Sequence, residues 1–399
     1  MTTTEVRKFS GGVNQRGVRD HNERLLISTI QRHGALPGSD LARHSGLSPQ
    51  TVSVILRSLE SEGFIKRGEP QRGRVGKPSI PMALSEDGVY SIGLKIGRRS
   101  ADILLLDFVG NVRDRVKTTY QYPLPGTIFG FWQHGLGTLL TKLTEDQRAR
   151  ICGVGVAAPF EIWKWHESIG APADEFAAWK DVDFAERLGE LCDLPVFVEN
   201  DATAACRAEH VYGRGKDFSD YAYFFVGAFI GGGVVLNDSV YPGARNNAGA
   251  FGSLPMPKAG GGVEQLIDSA SIYRLEAVMV EAGHDPAALW QEEPDWSGID
   301  EVLQPWLDET GENLARAALA VCSVIDFEAV VIDGAFPVAI REALVERVRA
   351  ALGRLDGRGL LLPTAECGSV GVDARGIGAA SLPIFANFML NTNAGFQRV

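Results

Sequence analysis

Apolar and polar positions follow two different rhythms along this chain. Up to Leu84 the apolar residues recur at helical spacing. In HNERLLISTIQRHG, Leu26, Ile27 and Ile30 share one stripe that stops at Gly34, and SDLARHSG reads as a second short helix with Ser39 as N-cap and Gly46 at its end. A third segment, LSPQTVSVILRSLESEGFIKRG, sets Val52, Ile55, Leu56 and Leu59 at i, i+3, i+4 and i+7, behind a Ser48 N-cap and Pro49 at the first helical position. Gly63 closes it. FIKRGEPQRGRVGKPSIPMAL then predicts two short strands around a basic loop.

From about Gly88 the rhythm changes to strands and turns. YSIGLKIG and ADILLLDFVG predict a hairpin around Gly97-Arg98-Arg99, VRDRVKTTY a third strand, FWQHGLGTLLTKL a helix and ICGVGVAAPF a buried strand. A second cycle follows, with PVFVEND as a buried strand, ATAACRAEHVYG as a helix of small residues and YAYFFVGAFIGGGVVLN as another hairpin. The pattern predicts an α/β body built on a duplicated β-β-β-α-β-α plan, with a glycine turn in each half.

Charge divides the chain at the same place. Residues 1–80 hold 13 Lys and Arg against 7 Asp and Glu, a net of +6, so the remainder carries −17 of the total of −11. A basic head on an acidic body suits a head that meets a polyanion. At 399 residues and 45% hydrophobic content, two or three packed domains are expected. No apolar run reaches the roughly 18 residues of a membrane span, and MTTTEVRKFSGGVNQRG lacks the apolar core of a signal peptide, so a cytoplasmic protein with no membrane partner is expected. Cys152, Cys192, Cys206, Cys322 and Cys367 are odd in number and form no C-x-x-C pair, which argues for buried thiols rather than a disulfide framework or a compact zinc site.

On the third helix, the face opposite the apolar stripe is small, polar and basic. Gln50, Thr51, Ser53 and Arg57 project from its N-terminal half, where a helix-turn-helix protein presents side chains to base edges in the major groove. In the following loop Arg72, Arg74 and Lys77 alternate with glycines and a proline, a slim backbone that lets cations enter a narrow A·T-rich minor groove. Cap, stripe, turn, wing and charge agree on a winged helix-turn-helix that binds duplex DNA. Two recognition helices on one face of an operator require a homodimer or a higher homo-oligomer, with half-sites about one turn or a multiple apart.

The body adds a degenerate phosphate hairpin, VENDATAACRAE, VGAFIGGGVVLN, GARNNAGAFGSLPM and GIGAA, in that order. Behind a winged helix-turn-helix, these motifs resemble the ROK family of transcriptional repressors and sugar kinases over nearly the whole chain. The resemblance implies an N-terminal all-α/winged helix-turn-helix followed by an α/β, two-lobed, actin-like (ribonuclease-H-like) ROK domain. Residues 1–20 would be a flexible arm, 21–86 the DNA-binding domain and 87–399 the effector domain. Its first lobe would span about 87–200 plus a C-terminal helix over 376–399, and its second about 201–375.

The resemblance also implies roles. In ROK kinases Asp201 of END would be the catalytic base, with Asn200 beside it to hydrogen-bond the sugar; the competing role for Asp201 is to N-cap the next helix. Those kinases carry an Asp-x-Gly-Gly-Thr-Lys type motif, whereas this chain has Lys95 at the acid, Arg98 at the second glycine and Arg99 at the threonine. Lysine cannot coordinate Mg²⁺, and Arg98 obstructs close backbone approach to a phosphate. Ala228 and Phe229 replace Thr-Gly in the second hairpin, although Gly231, Gly232 and Gly233 survive, and Asp333 of VIDGAF puts a negative charge toward the adenosine end. Ala250 and Ser253 stand for the Glu and His of a sugar- and zinc-binding motif whose cysteines are absent, so neither a metal nor a cofactor is expected. Glu264 matches the last glutamate of that motif, either as a ligand contact or as a helix-start residue. Trp163, Trp165 and Trp179 are either walls of a sugar site or core.

The resulting expectation is a DNA-binding regulator, a repressor by resemblance, of a carbohydrate transport or catabolism operon. It would bind an operator through its head and a sugar-like effector through Asn200, Asp201 and Glu264, with Asp201 a vestigial base and no enzymatic activity. An active ROK sugar kinase carrying a DNA-binding head, and a regulator controlled by protein docking, are the alternatives.

Overall fold

The apolar stripes of the head fold as their spacing dictates. The computed structural model describes residues 15–70, 79–166, 170–258, 260–291 and 295–390. Helices α1 (Gln15–His33), α2 (Gly38–Ser45) and α3 (Pro49–Ser61) bury Leu26, Ile27, Ile30, Leu41, Val52, Ile55 and Leu59 against one another. Ser48 caps α3 by accepting a 3.1 Å hydrogen bond from the Thr51 amide, with Pro49 in the first turn. Gly34, Gly46 and Gly63 follow the three helices in the left-handed region.

Three details of the head depart from the sequence expectation. Strand β1 (Leu36–Pro37) pairs with β3 (Pro81–Leu84), which pairs in turn with β2 (Ile65–Arg67), so the wing has three strands. Because β1 feeds straight into α2, Pro37 occupies the N-cap in an extended conformation with no side-chain cap bond, and Ser39 lies inside the first turn instead of capping it. Helix α1 begins at Gln15, so residues 15–20, expected in the arm, are helical. There Asp20 is buried, and Arg19 pairs with buried Glu23 at 2.8 Å and donates to Ser58 Oγ of α3 at 2.9 Å.

The remainder divides into two compact units, which are taken separately. The first, the chain up to Glu199 with the segment from Ala379, includes the head. Its sheet has the order β6-β5-β4-β7-β8, where β4 (Tyr90–Ile96), β5 (Ser100–Asp107) and β6 (Val112–Thr119) are antiparallel and β7 (Ile151–Ala158) runs parallel to β4. Helix α4 (Pro125–Thr141) buries Ile128, Trp132, Leu136 and Leu139 in the same core as Ile92, Leu94, Ile103 and Leu105. Strand β8 (Val196–Asn200) is an edge strand with Val198 46% exposed, not the buried strand its composition suggests.

The recognition helix is fixed to this unit at its C-terminal end. Phe64, just past α3, packs in a triad with Phe108 and Phe388, with ring centroids 5.4 to 6.2 Å apart. Arg150 Nη1 donates to Gly88 O at 2.8 Å and reaches Glu62 O, at the C-cap of α3, at 3.4 Å. A cation at a helix C-terminus is favourable for the dipole as well as for the open carbonyl.

The second unit, Asn200–Gly378, repeats the strand plan with the order β11-β10-β9-β14-β15. Strands β9 (Tyr221–Val226), β10 (Ile230–Leu236) and β11 (Ser239–Tyr241) are antiparallel, and β14 (Ala329–Gly334) and β15 (Thr364–Cys367) continue in parallel; a two-stranded ribbon, β12 (Pro255–Pro257) with β13 (Val263–Gln265), lies between in sequence. The helices that matter below are α5 (Asp201–Tyr212), α6 (Ile272–Glu281), α7 (Asp300–Cys322), α8 (Val338–Leu352) and α9 (Ala374–Phe388). The small residues of GIGAA reflect close packing, since a Cβ at Gly378 would stand 1.8 Å from Ala204 O of α5.

Phe108 and Phe388 are fully buried. Phe388→Ala should therefore cost about 3–5 kcal/mol, measurable as a lower urea midpoint; a loss under about 1 kcal/mol would remove the triad from the account of how the head is held.

Candidate DNA-reading helix and effector site

On α3, Gln50, Ser53, Val54 and Arg57 are exposed and form the face opposite the buried stripe. Thr51 is half-buried, and its hydroxyl shares a 2.8 Å hydrogen bond with Ser48 Oγ, so it belongs to the cap. Arg57 Nε donates back to Ser53 O at 3.2 Å, using one of the five N–H donors of its guanidinium. Of the wing cations, Arg67 pairs with Glu60 at 2.6 Å and Lys66 with Glu86, and each partner's carboxyl is held below its ordinary range by the hydrogen bond from its cation. Arg72, Arg74 and Lys77 lie outside the described residues.

In the β4–β5 hairpin the residue at the expected acid position is turned inward. Lys95 and Asp102 are cross-strand partners, and Lys95 Nζ sits 2.7 Å from Asp102 Oδ2, 3.0 Å from Ser100 Oγ and 3.4 Å from Ser100 O. An ammonium has three N–H donors, and here three acceptors surround it. The turn itself is closed by Gly97 N donating to Ser100 O at 2.9 Å and by Tyr120 OH donating to Gly97 O at 2.7 Å.

The β9–β10 hairpin is occupied by protein in the same way. A Cβ on Gly231, Gly232 or Gly233 would stand 2.6, 2.4 and 2.4 Å from Ala202 Cβ, Phe251 Cδ2 and Cys206 Cβ, so packing of α5 and Phe251 explains the three glycines without any nucleotide. Phe229 packs edge-on against Tyr273, and Gly227 O and Ala228 O accept from the amides of Ile272 and Tyr273 at 3.0 and 3.2 Å. These are first-turn amides of α6, the donors an anion at that helix end would need. Burial, with Asp268 close by, pushes the Tyr273 hydroxyl up to about 12.

Asn200 and Asp201 stand together at the start of α5. The cap is Asn200, whose Oδ1 accepts from Ala202 N and Thr203 N at 3.0 and 3.2 Å; Asp201 is the first helical residue and caps nothing. Arg375 Nη1 at the start of α9 approaches Asp201 Oδ2 at 3.4 Å, and its guanidinium lies 5.0 Å over the Phe225 ring. Glu264 is on β13, half-buried opposite Met256, not at a helix start, and forms no hydrogen bond or ion pair with Asn200 or Asp201 among the described residues. Ala250 and Ser253 are exposed, and among the described residues no group of three His, Cys, Asp or Glu could hold a metal.

Two further expectations are settled by burial. Asp333 offers no charge to a nucleotide, because it is fully buried and accepts from Arg341 Nη1 at 2.6 Å, Gly371 N at 2.8 Å, Gly334 N at 2.9 Å and Tyr223 OH at 3.3 Å. Burial and nearby Glu209 raise its carboxyl above the ordinary value against the pull of Arg341. Glu209 is buried as well, holding the amides of Arg214, Ser369 and Val370 at 2.8 to 3.0 Å. Trp179 is core, its Nε1 donating to Pro123 O at 2.6 Å, and Trp163 and Trp165 pack against that same core.

Sequence reasoning missed Val54, Asp102 and Arg375. Asp102 was findable, since it and Lys95 are equidistant from a predicted turn. Arg375 lies 174 residues from Asp201, with no local signal of the pairing.

A three-stranded winged helix-turn-helix joined to a duplicated actin-like α/β body defines the class of protein. Residues 91–382 match the ROK family profile, and the chain belongs to the ROK family; residues 19–66 match the winged helix-turn-helix DNA-binding profile. The chain is 24% identical over 371 residues to the uncharacterized protein y4fQ of Sinorhizobium fredii, covering 92% of this chain and 91% of that one. It is 23% identical over 241 residues to the xylose repressor of Bacillus subtilis, covering 60% of this chain and 62% of the repressor. It is 24% identical over 247 residues to the Escherichia coli DNA-binding transcriptional dual regulator NagC, covering 61% and 59%. The matched region thus spans about three fifths of those two regulators. In fold it resembles the crystal structure of a ROK family transcriptional regulator, a homolog of E. coli MLC protein, with TM-score 0.66, 18% identity and 93% and 97% coverage. It also resembles the ROK hexokinase of Thermus thermophilus, with TM-score 0.51, 21% identity and 73% and 97% coverage.

Asp333→Ala should leave the Arg341 guanidinium buried without its partner and destabilise the protein by about 3–5 kcal/mol in urea unfolding; a cost below about 1 kcal/mol would mean that water replaces the carboxylate.

Proposed function

We propose that this protein is a DNA-binding transcriptional repressor of a carbohydrate transport or catabolism operon, whose ROK body senses a sugar-like effector and no longer transfers phosphoryl groups. The observation that carries the loss of phosphoryl transfer is the Lys95–Asp102 ion pair at 2.7 Å. Kinases of this type need an acid near the transferred phosphoryl to help hold Mg²⁺, and the residue at that position here is a cation saturated by its own hairpin. Glycines explained by packing and α6 amides bonded to the turn support the same reading.

The DNA side is supported by the capped α3, its exposed Gln50, Ser53 and Arg57, the basic head and the family relationship. The loop cations Arg72, Arg74 and Lys77 are assigned to the minor groove and backbone. As a homodimer or higher oligomer in the cytoplasm, the protein would meet an inverted-repeat operator with two heads. No helix among the described residues is long and apolar enough to cross a membrane. Xylose repressor and NagC, by their names, regulate transcription, and the xylose repressor points to sugar control.

For the effector we assign Asn200, Asp201 and Glu264, with Arg375 added. Asn200 Nδ2 has no partner among the described residues, and Arg375 Nε is buried without a hydrogen-bond partner, so both are donors that ligand oxygens could take up. Asp201, approached by Arg375, is a ligand and no longer a base. Ligand binding there would change the preferred arrangement of the heads and hence operator affinity.

Retention of fragmented genomic DNA by the full chain tests this. A few fragments with inverted repeats should be enriched at about 150 mM salt, Arg57→Ala should lower their affinity roughly tenfold or more, and one member of a neutral-sugar and sugar-phosphate panel should release them. Release should be lost in Asp201→Ala. Uniform retention of all fragments would refute the regulator; sugar release that survives Asp201→Ala would refute the site.

A further inference from the structure

Helix α3 carries one apolar side chain that the fold does not use. Val52, Ile55, Leu56 and Leu59 are 0 to 9% exposed, whereas Val54 is 51% exposed, and every residue of α3 is described. At 3.6 residues per turn, Val54 points about 150° away from the centre of the buried stripe, and Gln50, Ser53 and Arg57 surround it at i−4, i−1 and i+3.

Nothing among the described residues rewards valine there. A β-branched residue is a poorer helix former than Ala, Gln, Lys or Arg, and an exposed position offers no burial in return. Single exposed apolar residues are ordinary on protein surfaces. This one is set apart by its place, in the middle of the polar face that presents Gln50 and Arg57, two side-chain types able to make paired hydrogen bonds to adenine and guanine edges. Valine can donate and accept nothing, so its partner has to be apolar. Along the base edges of a duplex major groove the apolar feature is the C5-methyl of thymine.

We infer that Val54 is a specificity-determining residue that selects thymine in each operator half-site by packing on the C5-methyl group. Val54 has this role only if α3 reads duplex DNA as proposed above, and the test separates the two statements. Gln50, one turn earlier on the same face, would contact an adjacent base, and Arg57, one turn later, a base or phosphate on the other side.

The test is selection of binding sites from a random duplex library by the full chain and by Val54→Ala and Val54→Thr. Val54 is exposed, so neither variant should disturb folding, and Thr keeps one γ-methyl group. Wild type should enrich a motif with an invariant thymine in each half-site, Val54→Ala should relax that position alone, and Val54→Thr should largely retain it. Replacing that thymine by deoxyuridine removes only the methyl. It should weaken wild-type binding about fourfold per half-site, the worth of one buried methyl-sized group, and leave the affinity of Val54→Ala unchanged. If no thymine responds to deoxyuridine, or if wild type and Val54→Ala respond equally at every thymine, Val54 does not read a methyl group although α3 still reads DNA. If wild type enriches no motif, the DNA-reading assignment itself falls, and this inference with it.

Discussion

Across β4 and β5 the ammonium of Lys95 faces the carboxylate of Asp102, with Ser100 supplying two more oxygens. A hairpin that carries an acid at its tip can hold Mg²⁺ against a nucleotide. One that carries a cation at that position, already paired with its own carboxylate, offers no carboxylate oxygen to the metal. An ion pair this buried is weak evidence for added stability, but loss of either partner alone would strand the other charge. The residues around it conform: Tyr120 closes the turn over Gly97, and the second hairpin is filled by Phe229, Tyr273 and the first amides of α6.

Under the proposed function, the half-buried polar groups at the start of α5 serve effector binding and not phosphoryl transfer. Asn200 does structural duty with its oxygen, whereas its amide nitrogen has no partner among the described residues; Asp201 is approached by Arg375 over the face of Phe225. Elsewhere in the second unit, Asp333 and Glu209 spend their charge on Arg341 and on the backbone amides of the 369–371 loop, which fixes the turn that begins α9.

What was legible in the sequence was what local physics decides. Val52, Ile55, Leu56 and Leu59 with Ser48 and Pro49 announce α3 because stripe and cap lie within one segment, and both hairpins show in their apolar runs around glycine turns. Features set by distant chain were not legible. Ser39 looks like a cap until β1 pairs with β3; PVFVEN looks buried until the sheet order makes it an edge; Asn200 and Asp201 are both good cap formers, and only the backbone path chooses between them. Asp333 reads as a charge facing a ligand until Arg341 and the Gly371 amide, both from other elements, enclose it. Trp179 is core for the same reason, through a carbonyl at Pro123, and Trp163 and Trp165 are half-buried against that core.

We propose that the phosphate hairpin is a self-satisfied structural turn and not a holder of metal and nucleotide. Calorimetric titration of the full chain with Mg·ATP, with and without sugars, measures this most directly. The account predicts only heats of dilution up to about 1 mM nucleotide, the upper end of ordinary substrate affinities. Saturable Mg·ATP binding below that concentration, accompanied by sugar-dependent ADP release that Asp201→Asn abolishes, would contradict it.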